Sequence, residues 1–155
     1  MAEPSVLDRA YHFVLTTFKE RGDPPHYTEL ARYFGVPPEQ GKALLHELVG
    51  TGIPCWLYPG TDYIAAWAPF NALPTQYRLS VDGQPRGYAQ CGFEALAVCW
   101  VFPDQVISVN APCLDCGEPM VVEVRNGKLL RTSGPAMVSY VDIPFGEWRK
   151  NLAYS

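Results

Sequence analysis

The sequence predicts an α+β protein with a helical first part and a sheet-containing second part. In the first 50 residues, apolar side chains recur at helical spacing between capping and turn residues. In the second half, short β-rich segments alternate with Asp-Gly and Asn-Gly dipeptides around one apolar helix. We therefore predict a winged-helix-like three-helix domain over residues 1–68. A second domain over 69–155 is predicted to hold a small mixed sheet with a central apolar helix.

Three helices are predicted in the first domain. The first helix begins at a capping box formed by Ser5 and Asp8, and Gly22 closes it. Thr28 is expected to cap the second helix. Pro38 suits the first position of the third helix, because proline at that position lacks only an N–H group that has no helical partner. The side chains expected to be buried on the third helix are Ala43, Leu44, Leu48 and Val49.

The segment CWLYPGTDYIAAW, residues 55–67, predicts two short strands around Pro59-Gly60, and three helices with a hairpin are typical of a winged helix. Winged helices often place the third helix in the DNA major groove. Here that helix offers only Lys42 as a base, and residues 1–52 hold five Lys or Arg against seven Asp or Glu. Because phosphate contacts dominate DNA affinity, we do not expect DNA as a partner, and a structural or interaction role fits better. The histidines expected to be ordinary surface or boundary residues are His12, His26 and His46.

The second domain follows a proline-rich connection over residues 66–75. QYRLSVDG predicts a strand that ends at the Asp82-Gly83 turn, and residues 89–102 predict an apolar helix. Further strands are predicted at QVISVNA, MVVEV, KLLRT and AMVSYV. Asn126-Gly127 predicts a hairpin turn between the second and third of these strands.

Composition restricts the classes of function. The formal charge of −4 and the pI of about 5.3 give no electrostatic reason to bind polyanions. No apolar run approaches the roughly 20 residues of a membrane span. The first residues lack the basic and apolar regions of a signal peptide, so a cytoplasmic location is expected. The five cysteines are an odd number, which argues against a disulfide framework and favours reduced thiols that bind metal or act in catalysis.

One thiol and one carboxyl group stand three residues apart at the start of the apolar helix. Cys91 lies at the expected helix N-terminus, where the helix dipole and free N–H groups favour a thiolate. Glu94 lies inside the apolar run GFEALAVCW, where burial raises a carboxyl pKa and keeps the group protonated near neutrality. Such a pair suits a soft substrate that a thiolate binds and an acid protonates. Cys55 and Cys99 are expected to be inert core residues.

A second thiol pair, Cys113 and Cys116, has the spacing of a metal knuckle in the segment CLDCG. A structural zinc site needs four ligands, and no second pair of this spacing exists in the chain. Cys91 is a candidate third thiolate, which gives a candidate metal set of Cys91, Cys113 and Cys116. The alternative interpretation is a glycine-containing turn between strands, with Cys113 packed beneath it.

These motifs together resemble the alkylmercury (organomercurial) lyase family. The first motif, Tyr-x-x-Cys-x-x-acid-x-Leu, is carried by Tyr88, Cys91, Glu94 and Leu96. The second begins 22 residues after Cys91 and is carried by Cys113, Gly117, Pro119 and Val121. The resemblance covers most of the chain, although only its second half is specific. It implies an alkylmercury-lyase-like core over residues 69–155.

The resemblance also implies a reaction, the protonolysis of a carbon–mercury bond to a hydrocarbon and Hg²⁺. In that reaction Cys91 is the mercury-binding thiolate, Glu94 stands where the family has an aspartic acid proton donor, and Cys113 falls on a structural cysteine. Mercury is then substrate and product, and no cofactor is required. The family's second catalytic cysteine projects to the end of this sequence, onto Ala153, Tyr154 and Ser155, so the sequence either stops just before that cysteine or lacks one.

Two other functions remain open from the residues alone. The first is a non-catalytic member of the same fold that holds a soft ion (Hg²⁺, Cu⁺ or Zn²⁺) through the three thiols. The second is a winged-helix regulator whose cysteines sense metal. In every case the expected partners are a small organometallic substrate or soft metal ion and thiols, with no membrane.

Overall fold

The computed structural model describes residues 3–134, 137–138 and 144–148. The chain forms two compact units, Met1–Trp67 and Ala68–Ser155. The first contains helices and one hairpin, and the second contains a sheet and an apolar helix. The α+β class predicted from the sequence is therefore confirmed. None of the helices in the described ranges is long and apolar enough to cross a membrane.

The first unit begins with three helices. They are α1 (Val6–Arg21), α2 (Tyr27–Phe34) and α3 (Pro38–Gly50). The predicted capping box starts α1: the Asp8 N–H donates to Ser5 Oγ at 3.1 Å and the Ser5 N–H donates to Asp8 Oδ2 at 2.9 Å. Gly22 ends α1 in the left-handed conformation with φ +81°. Both ends of this helix are thus set by local sequence.

The cap of α2 differs from the prediction. Thr28 lies inside the helix, and His26 is the N-cap residue. The His26 N–H donates to Glu29 Oε2 at 3.0 Å, and Glu29 also forms an ion pair with Arg21 at 2.8 Å. The Thr28 hydroxyl is engaged by His26 Nδ1 at 2.8 Å instead of by a helix N–H group. The carboxylate of Glu29 therefore fixes the start of α2, two residues before the expected cap.

The buried face of α3 also differs from the prediction. The buried residues are Gly41, Leu45 and Leu48, whereas Ala43 is exposed and Leu44 and Val49 are only half-buried. Gly41 explains why a different face of α3 is buried, since a Cβ atom there would lie 2.6 Å from Ala31 Cβ on α2. The two helices therefore approach each other at a glycine, which a search for apolar side chains overlooks.

The hairpin of the first unit pairs β1 (Cys55–Leu57) with β2 (Ile64–Trp67) in antiparallel register. The order of three helices and a hairpin is as predicted, while the winged-helix assignment stays a prediction. Asp62, in the connection between the strands, forms an ion pair with Lys42 Nζ and a hydrogen bond with His46 Nε2 of α3, each at 2.7 Å. Lys42, the base that DNA contact would need, is therefore already paired with a carboxylate.

Six strands form the sheet of the second unit, in the order β3-β5-β4-β6-β7-β8. They are β3 (Phe70–Asn71), β4 (Arg78–Val81), β5 (Gln84–Ala89), β6 (Ile107–Pro112), β7 (Pro119–Arg125) and β8 (Lys128–Thr132). Every strand pairing described within this unit is antiparallel. The described sheet is therefore not the mixed sheet that the sequence predicted. The apolar helix α4 (Gly92–Val101) contacts β3, β5, β6 and β7, and a short helix α5 spans Phe145–Trp148.

Both predicted turns of the second unit are confirmed. Asp82-Gly83 and Asn126-Gly127 have positive φ at both positions, as a type I′ turn requires. The apolar helix predicted over 89–102 begins later, at Gly92, because Ala89 is still paired in β5 and the chain bends at Gln90 and Cys91 before the helix starts. The strand predicted at AMVSYV lies mostly outside the described residues, and its two described members are not in a strand.

The register of the sheet places the two thiol-bearing segments at one edge. Arg78 of β4 pairs with Tyr88 of β5 on one side and with Asn110 of β6 on the other. Because β5 and β6 are both antiparallel to β4, they run in the same direction. Cys91 and Cys113 each follow three residues after these partners, so both segments leave the sheet at the same edge, with strand axes about 10 Å apart.

Candidate active site

Cys91 is the N-cap residue of α4, where the chain changes from strand to helix. Its backbone is extended, with φ −144° and ψ 175°, and its carbonyl accepts the first helical hydrogen bond from the Ala95 N–H at 2.9 Å. The backbone N–H groups of Phe93 and Glu94 act on the sulfur and favour its thiolate, although no regular side-chain cap hydrogen bond forms. The thiol is thereby fixed at the start of the helix, as predicted.

Three polar contacts hold the segment that carries Cys91. The Thr75 hydroxyl donates to the Ala89 carbonyl at 2.6 Å, and the Ala89 N–H donates to the Tyr77 carbonyl at 3.0 Å. The Asn71 side-chain amide donates to Gln90 Oε1 at 2.7 Å. These contacts fix the two residues before Cys91 on both sides of the strand. They set where the thiol lies before any substrate binds.

Sequence reasoning missed the residues that make these contacts. Asn71 and Thr75 lie in the proline-rich connection, and the sequence of this connection predicts only a link between domains. The ring of Tyr77 lies against Gly92, where a Cβ atom would be 3.6 Å from Tyr77 Cε1. No spacing or composition signal marks these positions. Only the antiparallel pairing of β3 and β4 with β5 brings them next to Cys91.

Glu94 stands in the first turn of α4, three residues after Cys91. Burial raises the pKa of its carboxyl from 4.5 to about 7. The residue as a whole is half-buried, but Oε2 is fully buried and has no hydrogen-bond partner among the described residues. A carboxyl group in these surroundings holds its proton near neutrality and has an oxygen free to deliver it. This agrees with the expectation from the apolar run.

The thiol of Cys91 departs from one expectation. Burial raises its pKa, and the charge of Glu94 raises it further, while the N–H groups of Glu94 and Phe93 oppose these effects. The sequence predicted that the helix N-terminus would favour the thiolate form of Cys91. That prediction is wrong, because the loss of solvation outweighs the electrostatic effect of the helix end.

Cys113 and Cys116 lie in the connection between β6 and β7, which we call the dithiol turn (residues 113–118). The turn is closed at its base, since the Cys113 N–H donates to the Glu118 carbonyl at 2.8 Å. Within it, the Gly117 N–H donates to the Cys113 carbonyl at 2.9 Å, and Gly117 has φ +78°. Cys116 is exposed and Cys113 is partly exposed. The glycine-containing turn expected between the strands is therefore present, but Cys113 is not packed into a core.

The pKa of Cys113 is lowered from its usual value. The backbone N–H groups of Cys116 and Asp115 are the largest causes, and the Cys116 thiol adds to them. No group of three or more His, Cys, Asp or Glu side chains in the described part of the chain is arranged to hold a metal ion. The predicted three-thiol set of Cys91, Cys113 and Cys116 is therefore not assembled as one site in this structure. Cys55 and Cys99 are buried, as predicted.

Two grooves of the described surface contain neither Cys91 nor Glu94. One is polar and lies beside the β7–β8 hairpin, between Asp104, Arg125 and Lys128. The other is apolar, with a volume of about 480 Å³, and lies between α4 and strands β7 and β8. Its helix side includes Phe93 and Trp100. The chemistry of the thiol and the acid, and not the shape of a cavity, identifies the candidate site.

Comparisons with known proteins point in one direction. A family model described as "MerB: Alkylmercury lyase" matches residues 70–154. No curated protein matches the chain. A solved structure titled "Crystal structure of the mercury-bound form of MerB2" is similar, with a TM-score of 0.63 and 18% sequence identity, and the match covers 84% of this chain and 61% of that chain. The chain thus spans about three-fifths of the length of that protein and shares its fold.

Proposed function

The chain belongs to the alkylmercury lyase family, and from this membership we propose that it cleaves the carbon–mercury bond of organomercurials by protonolysis. In this proposal Cys91 binds mercury and Glu94 supplies the proton. The observation that carries it is the buried carboxyl of Glu94, with a pKa of about 7, in the same helical turn as the thiol. Capture and cleavage use these two groups in sequence.

Capture is an exchange of a proton for a metal. The Cys91 thiol releases its proton to solvent, and its sulfur binds R–Hg⁺ to give a neutral Cys91–S–Hg–R adduct. A thiolate is the preferred ligand of a soft ion such as Hg(II). The raised pKa of Cys91 does not prevent this step, because the strong mercury–sulfur bond drives the proton off. It makes the rate of capture increase with pH.

Cleavage needs a second thiolate and one proton. A second thiolate binds mercury and increases electron donation into the C–Hg bond. That bond then breaks, its electron pair takes the Glu94 proton, and the products are R–H, a bis-thiolate complex of Hg²⁺ and the Glu94 carboxylate. Solvent reprotonates Glu94 for the next turnover. No oxidation state changes, so the step needs no redox partner.

Glu94 suits this step because its proton is retained at neutral pH and its Oε2 atom has no competing partner among the described residues. Glutamic acid is one methylene longer than the aspartic acid of the family motif. The longer side chain belongs to the first turn of α4, and side chains of a helix lean toward its N-terminus, here toward the N-cap Cys91. The extra length therefore moves the proton toward the mercury bound at Cys91.

A single-turnover experiment tests the proposal. The protein is loaded with phenylmercuric acetate, excess glutathione supplies the second thiolate, and benzene is measured by gas chromatography. We expect benzene from the wild-type chain and capture without benzene from Glu94→Gln, with a rate loss of roughly 100-fold or more, as for other general acids. Cys91→Ser is expected to abolish capture at this site.

Glu118→Gln is the matched control, because Glu118 is an exposed carboxylate outside α4. Its benzene release should equal that of the wild type. Rapid benzene release by Glu94→Gln would remove Glu94 from the role of proton donor. In a background that lacks the Cys113 and Cys116 thiols, equal capture of one equivalent of phenylmercury with and without Cys91→Ser would remove Cys91 from the site.

A further inference from the structure

We propose that Cys113 and Cys116 form a second, solvent-facing site for a two-coordinate thiophilic cation, and that this site receives the Hg²⁺ released at Cys91. The binding site stands on the geometry of the dithiol turn. Only the transfer step rests on the proposed lyase function. Neither role follows from the family motif, in which Cys113 falls on a structural position and Cys116 is not a motif residue.

The first argument is that the two sulfurs are already neighbours. The Cys116 thiol interacts with the Cys113 sulfur, and two backbone N–H groups of the turn also act on that sulfur. The turn is closed by the hydrogen bonds of Cys113 with Glu118 and Gly117, at 2.8 and 2.9 Å. A bidentate ligand pair that the backbone preorganises loses little conformational entropy when it binds an ion.

The second argument is the number of ligands. In the described chain no third His, Cys, Asp or Glu joins these two sulfurs in an arrangement that could hold a metal. Zinc in proteins takes four ligands in structural sites and at least three in catalytic sites. Hg(II) and Cu(I) are soft ions that are satisfied by two thiolates. The turn therefore favours these ions over zinc.

The third argument is access. Cys116 is exposed, and Leu114 between the two cysteines is 73% exposed. Cys91 is held more deeply, beside a buried carboxyl group. An ion bound at the turn can thus leave to external thiols more easily than an ion bound at Cys91. The same edge of the sheet carries both segments, so transfer crosses the width of one strand, β4.

The transfer is a ligand exchange with balanced charge. Cys91–S–Hg–SR reacts with the Cys113 thiolate and the Cys116 thiol. The products are Cys113–S–Hg–S–Cys116, the Cys91 thiol and a free thiolate RS⁻. The proton of Cys116 passes through solvent to Cys91. Because both new ligands belong to one turn, the chelate is favoured over two separate thiols by effective concentration.

Binding is tested first in Cys91→Ser, which keeps the dithiol turn but lacks the proposed catalytic thiol. The probe is HgCl₂ in excess glutathione, with bound mercury measured after gel filtration. We expect one retained ion per chain, and a loss of affinity of roughly 100-fold or more in Cys91→Ser/Cys116→Ser. Cys91→Ser/Cys99→Ser is the matched control and should retain the ion. Equal retention with and without Cys116 would overturn the site.

Phenylarsine oxide gives a second readout, because trivalent arsenic binds dithiols far better than single thiols. Cys91→Ser should bind it and the Cys91→Ser/Cys116→Ser double variant should not.

Transfer is tested by alkylation after one turnover of phenylmercury in the wild type. Cys91 should become open to iodoacetamide while Cys113 and Cys116 are protected. If benzene is released and Cys91 stays protected, the transfer is wrong. If no benzene is released, the lyase function fails while the HgCl₂ result still decides the site.

Discussion

The N-terminus of α4 and the dithiol turn present their first cysteines in nearly the same backbone arrangement. In each, backbone N–H groups of the residues two and three positions later act on the sulfur. In each, the N–H four positions later donates to the cysteine carbonyl at 2.9 Å. Yet the pKa of Cys91 is raised and that of Cys113 is lowered. The difference must lie outside the local backbone.

Solvation is that difference. By accessible area both residues are intermediate, but the sulfur of Cys91 is surrounded by far more protein, and its desolvation is the largest effect on its pKa. Around Cys113 desolvation is minor and the two N–H groups dominate. The carboxyl of Glu94 shares the surroundings of Cys91, and its own pKa is raised by the same cause. One packed environment therefore weakens the thiolate and retains the proton.

The largest expected effect is on stability, and it tests whether burial dominates around α4. Because the pKa of Glu94 is raised, protonation of this carboxyl adds to the free energy of unfolding. The contribution is fully present below pH 4.5 and is lost as the pH rises through about 7. At roughly 1.4 kcal/mol per pKa unit, the loss amounts to ~3 kcal/mol. Glu94→Gln should lack this part of the pH dependence, measured by urea unfolding between these two pH values. Glu118→Gln should keep this pH dependence. If the free energy of unfolding changed with pH in the same way for the wild type and Glu94→Gln, the burial of Glu94 would be contradicted.

The next effect is on the rate of cleavage. Only protonated Glu94 can deliver a proton, so benzene release from the preloaded Cys91–S–Hg–phenyl adduct should fall as pH rises above about 7. The fall should be roughly tenfold per pH unit, or ~100-fold over two units. Preloading removes the opposite pH dependence of capture, and glutathione at a concentration that saturates the rate at every pH removes the opposite pH dependence of the second thiolate. A rate that rises with pH in preloaded protein would mean that another group supplies the proton.

A smaller effect concerns thiol reactivity and contrasts the two segments directly. At pH 7, iodoacetamide should label Cys113 before Cys91, because the pKa of Cys113 is lowered and that of Cys91 is raised. Peptide mass analysis gives both rates in one sample, and buried Cys55 and Cys99 serve as internal controls. Glu94→Gln should speed the labelling of Cys91 at pH 8, since it removes a neighbouring negative charge. Faster labelling of Cys91 than of Cys113 in the wild type would reverse the comparison.

The smallest expected effect distinguishes the backbone conformation of the dithiol turn from that at the start of α4. Gly117 has φ +78°, so Gly117→Ala should lower the free energy of unfolding by about 1 kcal/mol. Gly92 begins α4, and a Cβ atom there would make only an ordinary 3.6 Å contact with Tyr77. Gly92→Ala should therefore raise the free energy of unfolding by about 0.5 kcal/mol. Chemical denaturation measures both changes in the free energy of unfolding. Changes of the same sign would show that backbone strain does not distinguish the dithiol turn from the start of α4.

Several features were predictable because they depend on neighbours in sequence. The capping box of Ser5 and Asp8, the turns at Asp82-Gly83 and Asn126-Gly127, and the presence of the apolar helix α4 all follow from local rules. The raised pKa of Glu94 was also predictable, because an acid in an apolar run has few ways to reach water. Each of these needs no knowledge of how distant segments pack.

Other features depend on contacts that no local pattern encodes. The buried face of α3 is set by the close approach of Gly41 to Ala31, and the start of α2 by Glu29. The relative acidity of Cys91 and Cys113 depends on how much protein surrounds each sulfur. The sequence placed Cys91 near helix N–H groups but could not show how much protein surrounds its sulfur, and so it predicted a favoured thiolate where burial raises the pKa.

The pairing of Arg78 with both Tyr88 and Asn110 has a consequence for how such a site can change over evolutionary time. The spacing between the two thiol segments is fixed by main-chain hydrogen bonds across β4, and substitutions other than those to proline leave these donors and acceptors in place. Side chains along these strands can therefore be exchanged by neutral drift while the spacing persists. Selection is then free to act on the termini of β5 and β6 alone, where a glutamate can replace an aspartate or a new cysteine can arise without refolding the sheet.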